Sequence, residues 1–116
     1  MLITDATAGA SAVPGSYRLG ALELLLGSDP VIYDQQTSRP VGSAVTLDQC
    51  VRNVMRWYGI SLEEAINWAA VIPQRILSTS QATKFLAESE RHVWWKEEKE
   101  GWIVKAAQSG KFLYKA

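Results

Sequence analysis

Cysteine and histidine each occur only once in this 116-residue chain, as Cys50 and His92. One cysteine excludes an internal disulfide, and one histidine excludes the multi-histidine clusters that many zinc sites use. Neither sign of charge is in excess: twelve basic and twelve acidic side chains cancel to a formal net charge of zero. Nucleic acids and anionic membranes attract proteins through basic patches, so neither is expected as a partner. Apolar runs are short, far below the roughly 20 residues that a membrane-spanning helix needs. Met1 is not followed by the basic and apolar segments of a signal peptide. A soluble, cytoplasmic chain with the length of one domain is expected. Tryptophan, by contrast, is plentiful at five residues. Core packing is its simplest explanation, because an indole buries a large area.

Hydropathy and turn residues divide the chain. Residues 1–4 are apolar and read as a strand that enters without a lead-in turn, as if the chain began inside a larger fold. Residues 5–16 are rich in Ala, Gly, Ser and Pro, a loop composition with Pro14-Gly15 as a turn. Residues 17–20, 21–26 and 31–33 read as extended, with Gly27-Ser28-Asp29-Pro30 as a turn and residues 35–40 as a polar connector. Thr46 and Gln49 have the spacing of a capping box. Leu47, Cys50, Val51, Val54, Met55 and Tyr58 then recur at helical spacing up to Gly59, a C-terminal stop. Ser61 and Glu64 repeat the capping pattern before Leu62, Ala65, Ile66 and Ala69, and Pro73 ends that helix or opens a new turn. Residues 78–92 are polar and carry no assignment. Residues 93–96, 102–106 and 111–114 read as three short strands joined by turns at Lys99-Glu100-Gly101 and Ser109-Gly110.

Two ordered segments carry a family resemblance. One is Leu2-Ile3-Thr4-Asp5-Ala6 followed by Pro14-Gly15-Ser16-Tyr17-Arg18-Leu19-Gly20. The other is Gly42-Ser43-Ala44-Val45-Thr46-Leu47-Asp48-Gln49-Cys50-Val51-Arg52-Asn53, then Gly59-Ile60-Ser61-Leu62-Glu63-Glu64-Ala65 and Pro73. In content, order and spacing they resemble the C-terminal part of the N-acetylglucosamine-6-phosphate deacetylases, members of the amidohydrolase superfamily. The match spans residues 1–77. Beyond it, Lys84-Phe85-Leu86-Ala87-Glu88-Ser89-Glu90-Arg91-His92 lacks the two glycines and the aspartate of the family's stretch.

The resemblance implies an α/β fold, the C-terminal part of a metal-dependent (β/α)8 barrel plus the terminal strands of a small β domain. Residues 1–77 would be the barrel end, and residues 78–116 a divergent linker with the β-domain strands. It implies a hydrolase that converts N-acetylglucosamine 6-phosphate to glucosamine 6-phosphate and acetate. It implies a divalent metal, zinc or similar, in the complete enzyme, held by Glu and His side chains that this chain does not carry. The partner so implied is an N-terminal barrel portion, and a homo-oligomer is compatible with the sequence. Asp5 takes the role of catalytic proton carrier, at the strand end where (β/α)8 active sites gather. Pro40, Val41 and Gly42 align with the family's substrate-contacting turn. On spacing alone, an aspartate after a strand is a turn or cap residue and Gly42 belongs to an ordinary loop. A non-catalytic remnant or small binding module is therefore the alternative function.

The remaining chemistry-bearing residues have plain readings. His92 reads as a surface histidine and Cys50 as a small residue on an apolar helix face. Arg52 and Arg56, four apart on one helix, have phosphate-binding spacing but are more simply solvated or ion-paired. The charge run at residues 96–100 reads as a solvated hairpin. Trp94, Trp95 and Trp102 suggest either a carbohydrate platform or, more simply, strand packing.

Overall fold

A computed structural model describes residues 1–77 and 91–116. The described residues form two compact units, one of Ile3–Cys50 and one of Met1–Leu2 with Val51–Ala116.

The first unit is built on a four-stranded antiparallel sheet in sequential order. Its strands are β1 (Gly15–Leu19), β2 (Leu22–Leu26), β3 (Val31–Asp34) and β4 (Pro40–Ser43). Connections of a few residues permit only antiparallel neighbours, because a parallel pair needs a crossover of a dozen residues or more. The β1–β2 register sets Tyr17 opposite Leu24 and Leu19 opposite Leu22, so Gly20-Ala21 is a two-residue turn. Pro40 stands first in the edge strand β4, where a missing N–H is tolerated. Alternation along β2 sends Leu24 and Leu26 inward, where they meet Ile32 in a buried cluster flanked by Tyr17, Val41 and Ala44. Leu25 points the other way and is 41% exposed. Residues 7–12 turn over this cluster through Ala10 N–H to Thr7 carbonyl and Ala12 N–H to Gly9 carbonyl bonds. Gly9 is buried there, and a Cβ on it would come within 2.4 Å of Ile32 Cδ1.

The second unit pairs helices with a three-stranded sheet. Helix α1 (Leu47–Tyr58) buries Val51 and Val54, and Gly59, at φ 66°, closes it with an N–H bond to the Met55 carbonyl. Helix α2 (Leu62–Ile66) starts where the Ser61 hydroxyl accepts the Glu64 N–H at 3.2 Å. It runs through a π-helical turn, Asn67–Val71, into α3 (Ile72–Leu77). Pro73 explains the wide turn. Its ring would crowd the carbonyl four residues back and offers no N–H, so the chain takes an i→i+5 bond from Ile72 N–H to the Asn67 carbonyl. Val51, Val54 and Ala65 form the core, with Met55, Ile60, Leu62, Trp68 and Trp95 packed around it.

Strands β5 (Arg91–Glu98), β6 (Gly101–Ser109) and β7 (Phe112–Lys115) form the antiparallel second sheet. A register shift falls between Trp94 and Trp95, which pair with Ala106 and Val104 respectively. The extra residue lies on β6, so β5 keeps its alternation: Trp95 packs on the helix core, and Trp94, on the opposite face, is exposed. None of the five tryptophans is fully buried, and Trp57 and Trp94 are exposed. The expectation of indoles as core is thus met only by partial packing, at Trp68 and Trp95. Phe112, Leu113 and Tyr114 of β7 remain exposed as well.

The expected (β/α)8 barrel end is not what the chain forms. Among the described residues there are two antiparallel sheets of four and three strands, helices over 47–58 and 62–77, and no strand–helix–strand repeat. Residues 1–4, expected as a buried barrel strand, are not a strand. They lack the neighbouring strands whose pairing would make them one; the segment instead meets β4 through the Ser43 hydroxyl bond to the Thr4 carbonyl and an isolated parallel bridge between Ala6 and Ser43. The 1–77 and 78–116 division falls partly on residues 78–90, outside the described residues, as does most of the divergent 84–92 stretch. Among the described residues no helix is long and apolar enough to cross a membrane.

Two predictions follow from packing and charge in this fold. Leu24→Ala leaves a cavity in a fully buried site and lowers unfolding free energy by ~2–5 kcal/mol. Leu25→Ala on the outer face lowers it by less than about 1 kcal/mol, and chemical denaturation compares the two. Asp34 has its carboxyl pKa lowered from 3.8 by the Thr37 hydroxyl and then the Gln36 N–H. These lie at 2.6 and 2.9 Å. A depressed folded pKa gives stabilisation that is present above the ordinary value and lost as pH falls through the lower folded one. Acidification below pH 3.8 therefore destabilises the wild-type chain more than Asp34→Asn, as read from denaturation midpoints against pH.

Candidate functional site

The two segments singled out by motif lie far apart in sequence, and a web of backbone bonds in the first unit joins them. Its centre is Ser43, the last residue of β4. The Ser43 N–H donates to the Asp5 carbonyl at 2.8 Å, and the Ser43 carbonyl accepts the Thr7 N–H at 3.0 Å. These two bonds make the parallel bridge opposite Ala6. The Ser43 hydroxyl donates to the Thr4 carbonyl, 39 residues away in sequence, and accepts the Val45 N–H at 3.3 Å. Ala44 adds bonds to both neighbours of the bridge, donating to the Pro30 carbonyl and accepting the Ser11 N–H.

Asp5 lies in the left-handed region, at φ 51°. Asp is among the few non-glycine residues that adopt it readily. The Thr4 hydroxyl accepts the Ala6 N–H at 3.2 Å and spans the turn, an arrangement typical of a Ser/Thr turn. Asp5 is exposed.

Pro40, Val41 and Gly42, expected as a turn or loop, lie beside it in the edge strand β4, where pairing with β3 draws them into the sheet. Pro40 is exposed. Val41 is half-buried and packs on the Leu24, Leu26 and Ile32 cluster, so its side chain serves the core. Gly42 has φ 148°, and a Cβ there would lie 2.4 Å from Thr7 Cγ2 and 2.9 Å from the Asp5 carbonyl oxygen. The close approach that glycine permits is made by the chain's own residues 5 and 7. Thr7 Oγ1 is buried in this contact with no hydrogen-bond partner among the described residues.

The other residues with candidate chemistry do not converge here. His92 is exposed on β5, with its ring 5.7 Å from that of Trp94. Cys50 is half-buried, and burial, then the Asp48 charge, push its thiol pKa up, away from the reactive thiolate. The 96–100 charge run is an exposed hairpin in which Glu98 meets Lys105 at 3.2 Å and Lys96 at 3.4 Å. Hydrogen bonds from Lys105 and then Lys96 hold the Glu98 carboxyl below its ordinary range.

The divalent metal implied by the resemblance takes three or four protein ligands when it is zinc. Among the described residues no three His, Cys, Asp or Glu side chains group where they could hold an ion. The described residues by themselves do not make a metal site, and no chemistry here is assigned to one.

Ser43 and Thr7 are the residues that sequence reasoning passed over. Ser43 reads locally as a small polar residue ahead of a helix, and its bond to Val45 N–H is the legible part of its role. Its bonds across to residues 4–7 have no local signal. The chain matches no protein-family model and no curated protein.

Gly42→Ala is expected to push residues 5–7 away from β4. The measurement is amide hydrogen exchange. Protection at Ser43 and Thr7 should fall while Leu24 and Ile32 in the sheet keep theirs. Unchanged exchange at Ser43 would mean that the contact over Gly42 does not hold the bridge together.

Proposed function

We propose that this chain serves the hydrolysis of N-acetylglucosamine 6-phosphate to glucosamine 6-phosphate and acetate, with Asp5 as the proton carrier. The observation that supports this reading is the juxtaposition of Asp5 with Gly42. Two segments far apart in sequence, both given substrate-related roles by the resemblance, meet through the Ser43 N–H bond to the Asp5 carbonyl at 2.8 Å. A carboxylate in that place takes a proton from an attacking water as its oxygen adds to the acetamido carbonyl. It then passes that proton to the nitrogen as the C–N bond breaks. Acetate and the amino sugar leave, and the carboxylate is restored. In this reading Pro40, Val41 and Gly42 of β4 lie beside the substrate.

The reading includes a partner: a polypeptide that carries the metal-binding Glu and His side chains of such a deacetylase. By itself the chain is expected to release no acetate. A sugar phosphate as substrate places the activity in the cytoplasm. The second reading is a non-catalytic remnant or small binding module; the packing of Thr7 and the Asp5 carbonyl over Gly42, in the space that a substrate would use, favours the absence of catalysis.

Mixing the chain with the ligand-bearing N-terminal segment of a deacetylase, with zinc and substrate, separates the two readings. Acetate release that depends on both polypeptides is expected. Asp5→Asn should lower turnover by at least ~10²-fold and change substrate affinity far less, because proton transfer acts mainly in the transition state. No acetate from the mixture, or near-normal turnover with Asn at position 5, would remove the catalytic reading.

A further inference from the structure

The direction of the Asp5 side chain is set by two backbone torsions, and one distant residue is bonded to the peptide group on each side. The peptide plane before Asp5 carries the Thr4 carbonyl, and its orientation about the Asp5 N–Cα bond is φ. The plane after Asp5 carries the Asp5 carbonyl, and its orientation about Cα–C is ψ. The Ser43 hydroxyl donates to the first carbonyl and the Ser43 N–H to the second. With planar peptides, fixing both carbonyls fixes both torsions. The φ of 51° lies in the left-handed region, which aspartate enters more easily than most residues but which is not its commonest conformation. The third bond, from Thr7 N–H to the Ser43 carbonyl at 3.0 Å, stops the segment from sliding along β4.

We infer that Ser43 is a positioning residue for Asp5, its hydroxyl holding the peptide ahead of Asp5 and so setting the direction in which the Asp5 Cα–Cβ bond leaves the backbone. The catalytic meaning of this rests on the reading of Asp5 as proton carrier, but the positioning does not. Only the φ restraint depends on the side chain. The N–H and carbonyl bonds of residue 43 survive any substitution that keeps the backbone in place. Removal of the hydroxyl therefore loosens φ alone, and a substitution that keeps a hydroxyl preserves it.

The test is NMR on the whole chain, free of any activity measurement. A residue near φ 50° holds its own amide and Hα protons closer together than an extended or right-handed residue does. Its intraresidue cross-peak is correspondingly strong. For Ser43→Ala, the Asp5 cross-peak is expected to weaken severalfold, while the Leu24 and Ile32 resonances stay in place. Ser43→Thr is expected to keep it at wild-type strength. If the alanine variant does not fold, Ser43→Cys, similar in shape with only a weak donor, replaces it with the same expectation. An Asp5 cross-peak unchanged in the alanine or cysteine variant would overturn the proposal, as would equal weakening in the threonine variant. In the reconstituted mixture, Ser43→Ala should lower kcat about tenfold with KM nearly unchanged, as expected of a misaimed group, and Ser43→Thr should restore it. Loss of the NMR effect with Asp5-dependent turnover intact removes the positioning role alone. The NMR effect without turnover leaves that role standing and removes the deacetylase reading.

Discussion

Backbone polar groups that leave water must find partners, and residues 4–7 find most of theirs on Ser43. This stretch is neither helix nor strand, so it has no ladder of its own. Three of its groups bond to Ser43: the Thr4 carbonyl, the Asp5 carbonyl and the Thr7 N–H. The Ala6 N–H bonds to the Thr4 hydroxyl within the segment. Everything proposed for Asp5 depends on that attachment. The attachment depends in turn on Gly42, since a Cβ there would meet Thr7 and the Asp5 carbonyl before the bonds could form.

The sheet beneath keeps Ser43 in place. Its core is small, with Leu24, Leu26 and Ile32 buried. A small core makes each side chain count, because the margin of a domain this size is only ~5–15 kcal/mol. Gly9 is part of the same economy: its hydrogen lets the loop over the sheet settle against Ile32. In the unit that begins at Val51, Val51, Val54 and Ala65 do the equivalent work, and the wide turn before Pro73 keeps the helix running past a residue that would otherwise break it. Exposed Trp57, Ile76, Leu77 and Phe112 show how much apolar surface the described residues leave uncovered.

Resemblance and fold point in different directions. The motifs around Asp5, Gly42 and Ser61 resemble those of a barrel enzyme, whereas the described residues form antiparallel sheets and helices with no barrel. A barrel strand exists only when strands on both sides pair with it. Residues 1–4 carry the sequence of such a strand and lack those neighbours, so Leu2 bonds through its N–H to the Trp68 carbonyl and no ladder forms.

Local features were legible in the sequence because their causes are local. The turn at Gly27-Ser28-Asp29-Pro30, the helix ended by Gly59 and the cap at Ser61 each follow from one or two residues with a fixed backbone preference, whereas the turn at Gly20-Ala21 was read as extended. The strands of the second sheet were legible from short apolar runs between glycine turns. The sequence also singled out Asp5 and Gly42, by motif. Only the tertiary structure decided that residues 1–4 are not a strand, that Trp95 packs on the helix core while Trp94 stays exposed, and that Val41 turns to the core. It alone joined Asp5 to Ser43. Each of these depends on which backbone groups and side chains meet across tens of residues, and neither alternation nor capping patterns carry that information, because they reach only a few residues along the chain.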